Sequence, residues 1–252
     1  MLALTACEKK KKQGQVEAAY IYRKSDESFY TPGARKAVEP PSYAWDNRYV
    51  GDHFRITKEF FRCKGSSANP MILENQIASD CNGAHSLPLK EGKECVYPLL
   101  IDLLNYLQEK TKKQVVITTG HRCLKHNHYA DPTIYNRASM HMIGAEVDFY
   151  VEGENPKNLV QLIQDYYLED EEVNSDPDFT TFKRYEKDNV NVRTKPWYNQ
   201  EVFVKLYEAD EGRDFDNQHA YPYLSVQMRY DREKKQKVRF TFEDAEKLLH
   251  EN

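Results

Sequence analysis

The residues best placed to do chemistry together lie in one short stretch, Ser139-Met140-His141-Met142-Ile143-Gly144-Ala145-Glu146-Val147-Asp148. An imidazole and a carboxylate seven residues apart, joined through a glycine turn into a strand, can converge on one metal ion. Both are ligand types that an open, catalytic zinc site accepts. Gly144 allows the tight turn or close backbone approach that this convergence needs. The same residues also fit a core histidine and an aspartate at the start of a strand. Glu146 alternates with Asp148 and could share its side of the strand. The expectation for Glu146 is a solvent-facing position.

The surrounding pattern supplies elements to hold such a site. Leu100, Leu103, Leu104 and Leu107 recur at helical spacing after Pro98, which predicts a helix over 97–111. The β-branched run Val115-Val116-Ile117-Thr118-Thr119 predicts a strand. A polar, His-rich loop is expected over 120–137, then a second strand over 146–151. Leu159, Leu162, Ile163 and Tyr166 mark a second amphipathic helix, ended by acidic residues at 169–172. Strands are expected at 202–207 and 224–230, with an edge strand at 237–240. Residues 54–61 read as an extended segment turning helical, and 65–95 as loop. Thr241-Phe242-Glu243-Asp244 opens a last helix to 249 in the manner of a capping box. The sum is an α+β fold with a mainly antiparallel sheet.

Composition excludes several classes. The chain has 252 residues, 40% hydrophobic and 12% aromatic, too apolar for a disordered protein. The sequence contains no run of about 18 apolar residues, the length that a membrane-spanning helix needs. A net charge of −4 gives no electrostatic footprint for nucleic acid, so no nucleic-acid partner is expected. The acidic stretch 165–178 and the turn 210–216 lack calcium-loop spacing and read as solvated. Trp197, Tyr221 and Tyr223 are read as core residues that could also line a groove.

With these residues in place, the chain resembles the zinc D-alanyl-D-alanine carboxypeptidase family, within the superfamily shared with lysostaphin-type endopeptidases and the Hedgehog signalling domain. The family pattern Ser-x-His-x-x-Gly-x-Ala-x-Asp is met by Ser139, His141, Gly144 and Asp148, with Glu146 where Ala is usual. Upstream, Thr119-Gly120-His121-Arg122-Cys123 stands where the family ends a strand in Ser-Gly-Tyr-Arg-Ser, and Asn127 matches a loop Asn. The resemblance covers roughly residues 53–231 and is specific over 115–151. It implies His141 and Asp148 as zinc ligands. It implies Arg122 as a guanidinium that binds oxyanion charge or a substrate carboxylate, and Ser139 as support for the ligand geometry. A third ligand, in the family a His on a late strand, is expected within 223–229. There Ser225 and Gln227 stand where His and an acid or second His are usual, and Arg229 fits the end of the pattern. His219 is the candidate substitute, brought in by a shifted register or a bulge; His121, His126 and His128 are alternatives. No residue is assigned as the general base.

The function implied is zinc-dependent hydrolysis of peptidoglycan stem or cross-bridge peptides, as a D,D-carboxypeptidase or related endopeptidase. Two other readings stay open. One is a degenerate module of the same fold that binds peptidoglycan or a protein partner. The other is an interaction protein in which His141 and Asp148 only hydrogen-bond. At the front, Leu4-Thr5-Ala6-Cys7 resembles a bacterial lipobox followed by a hydrophilic stretch. This predicts a signal-peptide remnant at 1–7, a partly ordered tether at 8–48 and a peptidase-like domain at 49–252. The lysine run at 9–12 is read as a solvated spacer. The protein is then an envelope lipoprotein facing the periplasm, held to the membrane through lipidated Cys7. Cys63, Cys81, Cys95 and Cys123 allow three disulfide connectivities or none.

Overall fold

The period of two in the central strands sorts their residues into two faces. The computed structural model describes residues 49–63, 71–73, 76–78, 86–90, 92–130, 138–187, 190–212, 219–241 and 243–245. The lipobox at Cys7, the tether at 8–48, Cys81, part of the turn 210–216 and the end of the last helix lie outside them. Six strands form one sheet: β1 (Val115–Thr119), β2 (Glu146–Val151), β3 (Lys183–Arg184), β4 (Trp197–Tyr198), β5 (Val202–Tyr207) and β6 (Tyr223–Met228). Their order is β1-β2-β6-β5-β4-β3, and every neighbouring pair is antiparallel. The helices are α1 (Pro98–Thr111), α2 (Leu124–Ala130), α3 (Pro156–Glu169) and α4 (Pro177–Thr180). The expected α+β architecture with an antiparallel sheet is what the chain adopts.

The apolar set of the sheet is Val147, Phe149 and Val151 on β2, Val202, Val204 and Leu206 on β5, and Leu224, Val226 and Met228 on β6. These pack in one cluster with Leu100, Leu103, Leu104 and Leu107 of α1 and Leu159, Val160 and Ile163 of α3. Each such side chain contributes about 1.5–3 kcal/mol by leaving water. Buried polar residues on α1 pin what lies beside it. Asn105 exchanges two 2.8 Å hydrogen bonds with the Ile56 backbone, and Gln108 Oε1 accepts from Val115 N at 3.2 Å, at the start of β1. The core therefore fixes β2 and β6, and their other face carries Glu146, Asp148 and Ser225.

Three segments depart from expectation. Residues 124–130, expected as loop, form α2, a short turn of helix too rich in His and Asn to show periodicity. The segment 65–95 holds two small hairpins, 71–73 with 76–78 and 89–90 with 93–94. The strand expected at 224–230 stops at Met228 because Arg229 N and Tyr230 N both donate to Glu201 O, at 2.7 and 3.3 Å. Residues 230–231 then pair with 236–237, so the expected edge strand belongs to a separate ribbon.

One ion network closes the end of the sheet onto α3. Arg232 Nε donates to both Glu201 oxygens at 2.7 and 2.8 Å, and Nη1 to Asp170 Oδ2 at 2.7 Å. Glu201 is 1% exposed, so losing its partner strands a buried charge. Arg232→Met is expected to cost about 3–5 kcal/mol in urea unfolding. Lys110→Met breaks an exposed pair with Glu169 and should cost about 1 kcal/mol or less. Equal costs for the two would contradict this ranking.

Candidate metal centre

The turn that presents His141 is built by its own sequence. Residues 140–143 form one turn of 3-10 helix, and Ser139 Oγ accepts from His141 N at 3.4 Å to cap it. Gly144 ends the turn with φ +66, a conformation that side chains resist. A Cβ there would also stand 2.7 Å from Cys95 O and Pro88 Cγ. The chain then enters β2, where Glu146 and Asp148 point to one side.

A second close approach holds the imidazole. Gly120 lies so near Phe61 that a Cβ would meet the Phe61 Cα and carbonyl oxygen at 2.6 Å. The His121 backbone donates to Phe61 O at 2.6 Å, and the Arg122 backbone to His141 O at 3.3 Å. His141 Nδ1 lies 2.7 Å from the Gly120 carbonyl, which can only accept, so this nitrogen carries the proton. Nε2 is turned inward. It stands 3.3 Å from Asp148 Oδ2 and 3.9 Å from Glu146 Oε2.

His141, Glu146 and Asp148 are all buried, and one ligand atom from each lies within 4.8 Å of the other two. Among the described residues this is the only group of three His, Cys, Asp or Glu that converges so. Asp148 is 1% exposed, and its Oδ2 has no hydrogen-bond partner. A buried carboxylate oxygen without a donor is costly unless a cation meets it. One nitrogen and carboxylate oxygens are a donor set that zinc accepts. The residues present therefore fit a divalent metal.

The residues singled out in the sequence lie in different surroundings. His141 and Asp148 come together, and Ser139 caps the turn that carries one of them. Arg122 is 1% exposed and close enough that its charge acts on both His141 and Asp148. His219 is not in the converging group; its ring stacks on Tyr221 at 4.9 Å and meets Tyr223 edge-on at 5.2 Å. His121 Nδ1 lies 3.0 Å from the His141 carbonyl oxygen, His126 Nδ1 lies 3.2 Å from Cys63 Sγ, and His128 is exposed on α2.

Glu146, expected in solvent, is 7% exposed. Neighbouring strands cover it: Ser225 Oγ donates to Glu146 Oε1 at 2.9 Å and Lys205 Nζ at 3.2 Å. The period of two in β2 was the signal for its direction. Its burial depends on β5 and β6, far away in sequence. Lys205 carried no local signal at all.

Electrostatics follow from this crowding. Burial opposes ionisation of Glu146, yet Lys205, His141 and the Ser225 hydroxyl overcome it and hold the carboxyl below its ordinary value. Asp148 is likewise lowered against burial, by His141, Arg122 and Lys205. Burial pulls His141 down, but the Asp148 and Glu146 charges raise it on balance.

The antiparallel sheet thus packs helices on one face and gathers on the other a buried His-and-carboxylate group that could hold a metal ion. A family model described as Peptidase M15 matches residues 72–180, so over this stretch the chain is similar to the M15 peptidases. The matched residues include Arg122, Ser139, His141, Glu146 and Asp148, but stop before β5 and β6 with Lys205 and Ser225. No curated protein and no solved structure matches the chain.

The lowered carboxyls give a pH signature in protein stripped of metal. Their stabilisation is complete above the unfolded carboxylate pKa of about 4. It is lost as pH falls through the still lower folded values. The thermal midpoint of chelator-treated protein should therefore drop at acid pH, and Asp148→Asn should flatten that drop while lowering the midpoint at neutral pH. Calorimetry that finds parallel profiles would count against the site as described.

Proposed function

We propose that this protein is a zinc-dependent peptidase that hydrolyses peptidoglycan stem or cross-bridge peptides. The observation that carries the reading is His141 Nε2, turned by the Nδ1 contact with the Gly120 carbonyl to face Asp148 Oδ2 at 3.3 Å within a buried group that includes Glu146. His141, Asp148 and Glu146 are the residues that would hold the ion. When bound, zinc supplies Lewis-acid polarisation of a carbonyl and a water of lowered pKa.

The chain's own residues supply positioning. The Gly120 carbonyl keeps the proton on His141 Nδ1 and so keeps Nε2 available. Arg122 is buried beside His141 and Asp148, where its guanidinium would stabilise charge developing on a carbonyl oxygen or a carboxylate brought to the metal. A short peptide ending in a free carboxylate suits one guanidinium beside one metal better than a polyanion would. Ser225 and Lys205 set the orientation of Glu146.

With zinc in excess, the wild type is expected to bind one ion per chain and to cleave muropeptides. His141→Ala should lower both metal binding and turnover by at least about a hundredfold, as expected for loss of a metal ligand. Metal analysis and chromatography of the digests check this. Wild type that binds no more zinc than His141→Ala ends the enzyme reading. A second reading is favoured by the ion pair of Lys205 with Glu146, which satisfies part of the site without a metal. In that reading the protein binds stem peptides under saturating zinc and never cleaves them.

The proposed setting is the bacterial envelope, with the chain held at the membrane through lipidated Cys7. The lipobox-like Leu4-Thr5-Ala6-Cys7 followed by hydrophilic sequence supports it. Fatty-acid labelling in cells should mark the wild type and not Cys7→Ser. Equal labelling, or none, would refute the anchor.

A further inference from the structure

The protein's own cations already meet the carboxylates of the site. Two carboxylates, Glu146 and Asp148, meet two cations, Arg122 and Lys205. All four side chains are buried or nearly so; the Lys205 side chain is 15% exposed. A buried ammonium needs a built partner. For Lys205 that partner is Glu146 Oε1, at 3.2 Å.

The register explains how a lysine from β5 reaches a residue on β2. Asp148 on β2 is opposite Ser225 on β6, and Ser225 is opposite Lys205 on β5. The three lie side by side across three strands, on the face away from the core. Ser225 is small, so the long lysine side chain passes it and arrives beside Glu146. The Ser225 hydroxyl joins the same oxygen at 2.9 Å rather than blocking the way. The position where the resemblance led us to expect a histidine ligand thus admits a cation from the next strand.

We infer that the Lys205 ammonium is a tethered competitor for the divalent metal at His141, Glu146 and Asp148, and that it must release Glu146 for the ion to be held. This rests on the reading of the site as a metal centre. A dication added beside the ammonium would leave the buried site with surplus positive charge. Lys205 therefore keeps the affinity for zinc low and makes the metal a dissociable one.

Isothermal titration of zinc into the wild type, Lys205→Met and Lys205→Arg tests the inference without using turnover. Lys205→Met should bind at least tenfold tighter than the wild type, and Lys205→Arg should stay weak because it keeps the charge. His141→Ala placed in the Lys205→Met chain should abolish the gain. If Lys205→Met fails to fold, acetylation of the wild type by an N-hydroxysuccinimide ester gives a second reading by mass spectrometry. Saturating zinc should then raise Lys205 labelling several-fold. Unchanged or weaker affinity in a folded Lys205→Met protein, or unchanged labelling, overturns the competitor role while wild-type zinc binding upholds the metal centre. No zinc binding in any of these proteins overturns the metal centre itself, and the inference with it.

Discussion

A single 2.7 Å hydrogen bond, from His141 Nδ1 to the Gly120 carbonyl, decides the chemistry available to this protein. It links two segments that meet only after folding: the end of β1 and the turn before β2. Both ends depend on glycines that leave no room for a Cβ, Gly120 against Phe61 and Gly144 against Cys95 and Pro88. Because a carbonyl can only accept, the bond selects one imidazole tautomer and turns Nε2 toward the carboxylates. The pairing of β1 with β2 carries an irregularity between Ile117 and Thr119, at the level of Asp148. Such a local break re-aims side chains beside a site without disturbing the core behind it.

The other constraint is charge. The sheet has one apolar face packed on α1 and α3 and one face that gathers Glu146, Asp148, Ser225 and Lys205. Burying two carboxylates is tolerable only because cations and hydrogen-bond donors meet them. The same neighbours that stabilise these carboxylates would shape their response to a divalent ion. Stability and metal loading are in this way opposed at one residue, Lys205. An enzyme that takes up its metal only when supply is ample and a binding module that has lost the metal share this geometry, and differ in how readily Lys205 yields.

Much of the scaffold was legible in local pattern. The leucine spacing of α1 and the β-branched run of β1 are strong periodic signals, and both elements lie where they were expected. The motif around His141 and Asp148 was legible because its members are close in sequence, so the turn and strand alone bring them together. α2 was missed because it is short and polar. The burial of Glu146 and the arrival of Lys205 were not legible, since they follow from strand register between residues about sixty to eighty positions apart. The family likeness could not supply them either, for it fades before β5 and β6.

The most direct test of this account is anomalous diffraction at the zinc absorption edge from crystals equilibrated with zinc. The account predicts one strong peak bounded by His141 Nε2 and oxygens of Asp148 and Glu146. A peak at His219 or beside Cys63 and His126, with none at His141, would contradict it.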